Sequence, residues 1–465
     1  MSQHSVYSPY DQSLVGQVAI STAEDVDAAL ARAYALFRDR KGWLPKITRM
    51  QILDRAAELI GARRQAIALQ AAREGGKPLK DSLTEVDRGV EGIRNCIEVL
   101  RADAGHVIPM GLNAISTGKV AFTQLEPIGV VTAISAFNHP FNLIIHQVIP
   151  AIAVGAPVVV KPAANTPLSC KMIIEILLES GLPEGWAQMV MPLDTEVAGK
   201  LVSDPRVGFF SFIGSAPVGW MLRSKLAPGT RCALEHGGVA PVVIAADADL
   251  DDALPRLARG GFWHAGQACV SVQRVFCHRS IAREAAQRLG ELGAALTVGD
   301  PSSEQTDVGP LIHEREVKRV GQWVEEAVGS GAELIGGGVA LGNNCYAPTV
   351  LLDPPADSQV MQKEVFGPVI VVYSYDELDE AIELANALPY AFQAAVFTRA
   401  LDTAMQCYQH FDASAVMVNE NTLFRVDWMP FAGVRQSGHG VGGIPHTMKE
   451  MQTEKMMVWR SKVLE

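Results

Sequence analysis

Apolar residues recur at helical spacing through the N-terminal part of the chain. The stretch TAEDVDAALARAYALFR (22–38) opens with Thr22, a residue type that caps helix N-termini. The run ITRMQILDRAAELIGARRQAIALQAAREGGKP (47–78) keeps an apolar face until it meets two glycines and a proline, which end helices. A third amphipathic run, EVDRGVEGIRNCIEVLRADA, covers 85–104. The pattern predicts helices across 22–104.

From residue 120 onward, short β-branched and aromatic runs alternate with helical segments. The first set of strand-like runs is VVTAIS (130–135), APVVVKP (156–162), AQMVM (187–191), VGFFSFIG (207–214) and PVVIA (241–245). The second set is SVQRVFCH (271–278), CYAPTVLLD (345–353), PVIVVYSY (368–375), QAAVFT (393–398) and ASAVMVN (413–419), with helices such as 281–295 and 313–331 between them. Such alternation is typical of βαβ units and parallel sheets covered on both faces. The predicted fold class is α/β, with two doubly wound, Rossmann-like domains.

The two sets of strands divide the chain into domains near Gly237. We assign 1–107 and 127–236 to the first α/β domain and 237–430 to the second. The segments 108–126 and 445–465 fit neither pattern, yet both contain strand-like residues. We expect them to form a small separate β-sheet.

Composition narrows the class of protein. A chain of 465 residues suggests two or three domains, and its net charge of -11 argues against nucleic-acid or anionic-membrane partners. The N-terminus lacks the basic and apolar regions of a secretory signal, and the most apolar stretch, 142–162, favours a helix followed by a buried strand over a membrane span. Seven scattered cysteines without a Cys-x-x-Cys pair indicate neither a disulfide framework nor a zinc site, so a cytoplasmic location is expected.

Two stretches are candidates for a phosphate-binding turn. Gly438, Gly440 and Gly443 match G-x-G-x-x-G, but no strand precedes them and no βαβ unit surrounds them, so we interpret this segment as a flexible loop. In VGFFSFIGSAPVGWMLRSKL, a strand ends at Gly214 and Ser215 and a helix follows, which suits an anion, although ordinary strand-to-helix turns look the same.

Lys161 is a second candidate for nucleotide binding. It directly follows the buried strand VVV, at the carboxyl end where open α/β sheets bind ligands. Its ammonium could donate to an adenosine ribose, or it could be a solvated lysine at a strand end.

Seven segments in order resemble the aldehyde dehydrogenase superfamily over essentially the whole chain. They are EPIGVVTAISAFNHPFN, VVKPAANTPLS, FIGSAPVG, LEHGG, GQAC, KEVFGPV and MPFAGVRQSG. The stretch VNENTLFRVDWMPFAGVRQSGHGVGGI looks most like the branch of lactaldehyde and non-phosphorylating glyceraldehyde-phosphate dehydrogenases. The resemblance implies NAD(P)-dependent oxidation of an aldehyde to a carboxylic acid.

The resemblance also implies roles for individual residues. Cys269 matches the nucleophile that forms a thiohemiacetal, and Asn138 matches the amide that holds its oxyanion. Glu235 matches the base that activates water to hydrolyse the thioester.

The same resemblance implies a binding site for NAD or NADP. Lys161, Gly214 and Ser215 match contacts to the adenosine and the pyrophosphate, and Glu364 and Phe366 match residues that hold the nicotinamide ribose.

At four positions the sequence departs from the family pattern, one of them Ala432, which replaces the glycine of PFGG. Many NAD-preferring members carry glutamate where this chain has Ala164, so we expect NADP to be tolerated. His236 and His264 replace other residues beside the catalytic segments, and either tune Glu235 and Cys269 or pack as simple substitutions.

The substrate is expected to be a small hydroxyaldehyde, a semialdehyde or an aryl-bearing catabolic aldehyde. Neither chain neighbour of Cys269 is basic, so recognition of an anion must come from elsewhere. Arg425 either anchors a substrate carboxylate or pairs with Asp427. An aromatic substrate tunnel is expected from Phe141, Phe424 and Trp428.

Two rival functions stay open at this point. A CoA-acylating dehydrogenase is disfavoured by Glu235, because activated water would destroy its thioester. A catalytically silent structural relative is disfavoured by the joint presence of Cys269, Glu235 and Asn138. The resemblance further implies a homodimer or homotetramer joined through 108–126 and 445–465.

Overall fold

Two largely parallel sheets form the framework of the computed structural model, which describes residues 2–464. The first sheet has six strands, in the order Gly438–His439, Arg231–Glu235, Val207–Ile213, Val130–Ile134, Val158–Lys161 and Ala187–Met189. The second has seven, in the order Glu333–Gly336, Thr349–Leu352, Val369–Tyr375, Arg274–His278, Pro241–Ile244, Gln393–Phe397 and Ala415–Val418. Only the edge strands Gly438–His439 and Glu333–Gly336 pair antiparallel within these sheets. The predicted α/β class with Rossmann-like sheets is confirmed.

Helices cover both sheets and follow the predicted pattern closely. They are Ala23–Arg38, Lys46–Ala62, Arg64–Gly75, Leu79–Ala102, Asn142–Val154, Pro167–Glu179, Thr195–Ser203, Ala216–Arg223, Leu250–Phe262, Arg279–Ala294, Glu314–Gly329, Gln359–Gln362, Leu378–Asn386, Leu401–His410 and Ile444–Glu450. Thr22 caps the first of them, in a capping box with Asp25. The run 47–78 is two helices rather than one, because the backbone leaves helical geometry at Arg63 (φ -105°, ψ 13°).

The first sheet reverses its strand order between Val130–Ile134 and Val207–Ile213. Val158–Lys161 and Ala187–Met189 add on one side of Val130–Ile134. Val207–Ile213 and Arg231–Glu235 add on the other side. Ligands bind in open α/β sheets at the carboxyl ends of the strands at such a switch point. The segment that follows residue 134 and the turn that follows residue 213 therefore flank the expected crevice.

Three sequence expectations need correction. Arg231–Glu235 is a strand that the apolar pattern did not reveal, and Pro241–Ile244, grouped above with the first set, lies in the second sheet. The supposedly flexible loop around Gly438 forms an edge strand, because Gly438 and His439 pair with Glu235 and Leu234.

A small sheet of three strands stands apart from the two large ones. Gln452–Arg460 pairs with Lys119–Pro127 along nine residue pairs, and Val107–Ile108 adds to the other edge. The strand-like residues of 108–126 and 445–465 thus form the small sheet, while residues 445–450 belong to the helix Ile444–Glu450, which buries Met448 in the core. Residue 465 lies outside the described part. Shorter strand pairs join Gln3–Tyr7 with Leu14–Ala19, Ala340–Gly342 with Cys345–Tyr346, and Tyr390–Ala391 with Val434–Arg435.

The most apolar stretch of the sequence is a core helix. Every residue of Asn142–Val154 is buried, and the helix packs against Leu79–Ala102 and Ile444–Glu450. A helix that is apolar on all sides suits such a position. Within residues 2–464, no helix combines the length and the apolar character needed to cross a membrane.

Candidate active site

A cavity of about 1270 Å³ opens at the carboxyl ends of the strands of the first sheet, against the second. Of the residues singled out from the sequence, its wall contains Asn138, Gly214, Ser215, Glu235, His236, Cys269, Glu364, Phe366, Phe424 and Arg425. One cavity thus brings together a thiol, an amide, two carboxyls and a guanidinium from both halves of the chain.

Cys269 follows a sharply turned segment that begins with the short 3-10 helix Trp263–Gly266. His264 and Ala265 have left-handed backbone angles (φ 49° and 53°), and strain of this kind concentrates at functional sites. The Cys269 carbonyl accepts a hydrogen bond from Gly238 N (3.2 Å), which ties the turn to the junction of the two sheets. Burial raises the pKa of the thiol to about 12, while the cationic Arg425 opposes that shift.

Asn138 is held against the segment that carries Cys269. Its Nδ2 donates to the Gln267 carbonyl over 2.9 Å, and its side chain is buried. Gln267 is fixed in turn, since its Oε1 accepts from Ile312 N (2.9 Å) and its Nε2 donates to the Pro310 carbonyl (3.2 Å). An amide nitrogen carries two hydrogens, so Asn138 keeps a second donor for the cavity that it lines.

Glu235 ends a strand of the first sheet and faces the cavity. Its carbonyl accepts a hydrogen bond from Gly214 N (3.0 Å), and the strand Gly438–His439 pairs beside it. A Cβ at Gly442 would collide with the Glu235 carboxyl, so the glycine-rich segment serves as a close wall for that side chain. Burial raises the pKa of Glu235, and Arg425 lowers it by a smaller amount. A carboxyl whose pKa is raised by burial is suited to accept and release a proton.

Glu364 and Phe366 belong to a loop fixed by Gln273. The Gln273 amide accepts from Val365 N (2.8 Å) and donates to the Lys363 carbonyl (2.7 Å). Glu364 Oε1 is buried and has no hydrogen-bond partner within the described chain, and a Cβ at Gly237 would collide with it. Burial raises the pKa of Glu364 to about 8. A carboxyl oxygen without a partner, beside a glycine and facing the cavity, fits a ligand that offers hydroxyl groups, as a ribose does.

The turn at Gly214 and Ser215 leads into the helix Ala216–Arg223. Ser215 is the N-cap residue, and its side chain makes no capping hydrogen bond. The first N–H groups of this helix, which lines the cavity with Pro217 and Val218, therefore suit a phosphate group. Together with Glu364, this turn gives the cavity the two polar ends that a nicotinamide dinucleotide requires.

The two unusual histidines lie in different surroundings. His236 packs tightly over Gly219, where any Cβ would collide with its ring, and its Nδ1 lies 3.0 Å from the Gly214 carbonyl oxygen. His264 is fully buried, next to the rings of His139 and Trp263, and burial holds its pKa well below the usual range.

Arg425 sits at the centre of a buried charged cluster. Its guanidinium lies 3.6 Å from the centroid of the Phe431 ring, and its Nε is 3.9 Å from the Asp427 carboxylate. Asp427 is also bound by Arg88 (2.7 Å) and His146 (2.8 Å). The surrounding cations hold the pKa of Asp427 far below its usual range. Arg88 and His146 were not identified from the sequence, although a histidine inside an otherwise apolar helix was a visible signal.

Some residues singled out from the sequence are not part of the cavity wall. Phe141, expected to line a substrate tunnel, is wholly buried in the core, where a Cβ at Gly89 would collide with its ring. Trp428 is half-exposed, and Lys161 is partly buried with its Nζ donating to the Pro162 carbonyl (3.3 Å); neither lines the cavity. Ala164 lies beside the N-terminal strand pair, where His4 Nε2 is 2.8 Å from its carbonyl oxygen.

Comparison with known proteins identifies the family of the chain. The aldehyde dehydrogenase family matches residues 1–457. A 3-sulfolactaldehyde dehydrogenase from Priestia aryabhattai is 36% identical over 453 residues, which cover 97% of this chain and 94% of that protein. The structure of aldehyde dehydrogenase 21 from Physcomitrella patens, in complex with the reaction product succinate, aligns with a TM-score of 0.94 at 33% identity and covers 99% of this chain and 95% of the other.

A second solved structure bears on the cofactor. Glyceraldehyde-3-phosphate dehydrogenase GapN from Methanocaldococcus jannaschii, complexed with NADP, aligns with a TM-score of 0.93 at 32% identity, covering 98% of this chain and 99% of the other. The superfamily inferred from the sequence is thereby confirmed, and its branch is supported. The chain belongs to the aldehyde dehydrogenase family, and with it come an aldehyde dehydrogenase activity and the use of NAD or NADP.

Proposed function

We propose that the enzyme converts an aldehyde to its carboxylic acid through a thiohemiacetal and a thioester on Cys269. The observation that carries this proposal is the meeting of Cys269, Asn138 and Glu235 in one cavity. When bound, the nicotinamide supplies the acceptor for the hydride that leaves the thiohemiacetal carbon.

The first step forms the bond between sulfur and carbon. Because burial raises the pKa of Cys269 to about 12, the thiol needs a base, and the Glu235 carboxylate takes its proton. The sulfur adds to the carbonyl carbon, and the electron pair of the C=O bond moves to oxygen. The free N–H of the Asn138 amide and the backbone N–H of Cys269 stabilise that oxyanion.

The last step hydrolyses the thioester. Glu235 first releases the thiol proton to solvent and then removes a proton from water. The resulting hydroxide adds to the thioester carbon, and the C–S bond breaks, so that the acid leaves and the sulfur takes a proton back from Glu235 as the Cys269 thiol. The base role of Glu235 is supported by its raised pKa and by the absence, within residues 2–464, of a salt bridge to its carboxylate. A CoA-acylating reaction is disfavoured, since it must avoid activated water.

The cofactor is held along the first sheet. We assign Lys161 to the adenosine ribose, Gly214 and Ser215 to the pyrophosphate, and Glu364 and Phe366 to the nicotinamide ribose. Since Ala164 offers no carboxylate that would repel a 2′-phosphate, NADP is accepted alongside NAD. Steady-state kinetics with each cofactor tests this, and an enzyme that turns over only with NAD contradicts it.

The substrate carries an anionic group that binds Arg425. The side chain lines the cavity, and its Nε is buried without a hydrogen-bond partner in residues 2–464. The relatives named above act on a sulfonated hydroxyaldehyde or hold succinate, and both molecules are anions. These observations favour a small semialdehyde or acidic hydroxyaldehyde over a neutral aryl aldehyde.

The assembly and domain roles complete the proposal. Residues 127–236 with 1–107 bind the cofactor, and 237–430 supply the nucleophile. The small sheet exposes Met456, Trp459 and Val120, which suits contact with a second copy in a homodimer or homotetramer. All seven cysteines are free thiols, which supports a reducing, cytoplasmic location.

An aldehyde panel tests the reaction. Reduced cofactor is followed by absorbance with acidic, hydroxylated, aryl and simple alkyl aldehydes, with NAD and with NADP, and Cys269→Ala serves as the control. We expect turnover with acidic aldehydes and none in Cys269→Ala. Persistent turnover in that variant, or an absolute requirement for CoA, contradicts the proposal.

A further inference from the structure

A buried lysine outside the cavity lies behind the segments that carry Asn138 and Cys269. Lys77 is 1% exposed and does not line the cavity. It follows Gly76, whose left-handed backbone (φ 76°) ends the helix Arg64–Gly75. Because a fully buried lysine needs charged or strongly polar partners, the groups around its ammonium indicate what it does.

The ammonium of Lys77 contacts three different segments of the chain. It donates to Glu85 Oε2 (2.7 Å) on the helix Leu79–Ala102 and lies 2.7 Å from His139 Nδ1, directly beside Asn138 in sequence. It also lies 4.5 Å from the centroid of the Trp263 ring, at the start of the turn that leads to Cys269. An ammonium only donates, so His139 accepts at Nδ1 and carries its proton on Nε2.

The partners of Lys77 fix the same two segments by further contacts. Glu85 Oε1 accepts hydrogen bonds from Phe141 N (3.0 Å) and Asn142 N (2.7 Å), which holds the start of the helix that follows Asn138. The ring of His139 stacks on that of Trp263 at 5.2 Å. The segment of Asn138 and the segment of Cys269 are therefore joined to one cation as well as to each other.

We propose that Lys77 is a positioning residue, which sets the spacing between the Asn138 amide and the Cys269 backbone N–H by bracing their two segments. This inference rests on the proposed function, in which those two groups stabilise the oxyanion. Lys77 touches neither substrate nor cofactor, so its effect must pass through Asn138. Loss of the brace lowers the rate of steps that develop an oxyanion and leaves alkylation of the thiol unchanged.

The principal test combines Lys77→Met with Glu85→Gln, which avoids leaving an unpaired buried carboxylate and keeps an acceptor for the two backbone N–H groups. With succinic semialdehyde as the probe aldehyde, we expect kcat to fall on the order of 10-fold to 100-fold, below the loss from deleting an oxyanion donor outright. The dissociation constant of NADP and the rate of Cys269 alkylation by iodoacetamide should change by less than about two-fold, within the range of a remote surface substitution. Lys77→Arg, which keeps the cation, should recover part of the rate.

A matched control separates positioning from general stability. Arg49 donates to the Ala153 carbonyl at the opposite end of the helix Asn142–Val154, about 17 Å from its start. Arg49→Met removes a polar contact from the same helix and should lower the melting temperature with kcat unchanged. If the Lys77 variants lose no more kcat than Arg49→Met, or lose alkylation rate in proportion to kcat, the proposal is overturned.

A double-mutant cycle with Asn138→Ala decides the route of the effect. Once the amide is gone, Lys77→Met with Glu85→Gln should cost less than about three-fold more, because residues that act as a unit are non-additive. If Asn138→Ala alone lowers kcat as expected, but the Lys77 substitution lowers kcat by the same factor with and without the amide, the brace is overturned and the proposed function stands. If Asn138→Ala alone leaves kcat unchanged, the oxyanion assignment itself fails, and the brace fails with it.

Discussion

The two ends of the cavity are built in different ways. At the reaction end, Asn138 is held by a buried hydrogen bond to Gln267, and Cys269 by a strained backbone turn. At the mouth, Phe424 is 47% exposed, and Arg256 reaches Glu420 (2.9 Å) across a half-buried surface. The reaction end is fixed by buried contacts, and the mouth by side chains that water still reaches. The rate of the chemical steps should therefore be sensitive to the loss of a single side-chain group at the reaction end. The choice of substrate should depend on the charge and size of the side chains at the mouth.

Charge differs between the two ends as well. Near the nucleophile, burial is the main cause of the raised pKa of Cys269, and Glu235 and Glu364 add to it against the charge of Arg425. Arginines line the rest of the wall, including Arg88, Arg256 and Arg259. A cationic wall in a protein of net charge -11 concentrates anions locally. The mouth should therefore favour anionic aldehydes, which then react at Cys269.

Glu235→Gln should give the largest effect and test the reaction end. Steady-state turnover should fall by roughly 10²-fold to 10⁴-fold, the usual contribution of a general base, because the thioester is no longer hydrolysed. Rapid mixing should still show a burst of reduced cofactor if another group or solvent accepts the thiol proton. Glu420→Gln, a carboxylate of the mouth, is the matched control and should keep its turnover. Normal steady-state turnover in Glu235→Gln would show that another residue is the base.

The pH dependence of turnover follows from the same carboxyl. Only the ionised form of Glu235 accepts a proton, and burial raises its pKa, so kcat should rise as pH increases through a value above the usual range of glutamate. A turnover rate that falls over that interval contradicts the base role.

Arg425→Met tests recognition of the substrate anion and should give the second largest effect. A hydrogen bond between charged groups contributes about 1.5–3 kcal/mol, so kcat/KM for succinic semialdehyde should fall roughly 10-fold to 100-fold. The value for butanal, which has the same carbon chain without the carboxylate, should change little. Arg256→Met is the control arginine. Equal losses for both aldehydes would show that Arg425 acts on Cys269 or Glu235 rather than on the substrate anion.

Some parts of the cavity could be predicted from the sequence and others could not, for a physical reason. Strand and helix positions follow local periodicity, and the residues of the reaction end stand in compact motifs such as HAGQAC (264–269). The buried charged cluster around Arg425 depends on contacts between distant segments, such as His146 with Asp427 across 281 residues. Local pattern cannot reveal such partners. It missed the strand Arg231–Glu235 for a related reason, because the strand is short and has charged ends.

Substitution of Glu364, which we assign to the nicotinamide ribose, should give a smaller effect that depends on pH. Burial raises the pKa of Glu364 to about 8, so its ionised fraction grows as pH rises through that value. An ionised carboxyl accepts hydroxyl hydrogen bonds at both oxygens and more strongly than a neutral acid, so the KM for the cofactor should fall by up to about ten-fold between pH 7 and pH 9. Glu364→Gln should abolish this dependence. Glu316→Gln should retain it, because Arg319 and Arg315 keep the pKa of Glu316 low.

Phe141 and Phe424 give the finest version of the comparison, since both were expected to line a substrate tunnel and only Phe424 reaches the cavity. Phe424→Leu should change KM for aryl aldehydes by about two-fold to five-fold, a loss of the size of a weakened aromatic contact, with an unchanged melting temperature. Phe141→Leu should instead lower the melting temperature by about 2–4 °C for each kcal/mol lost and leave KM unchanged. The two substitutions are chemically identical, so burial is the variable that differs between them. If Phe141→Leu alters KM as strongly as Phe424→Leu does, the core behind Asn138 helps to shape the substrate site, and the division between a rigid reaction end and a selective mouth does not hold.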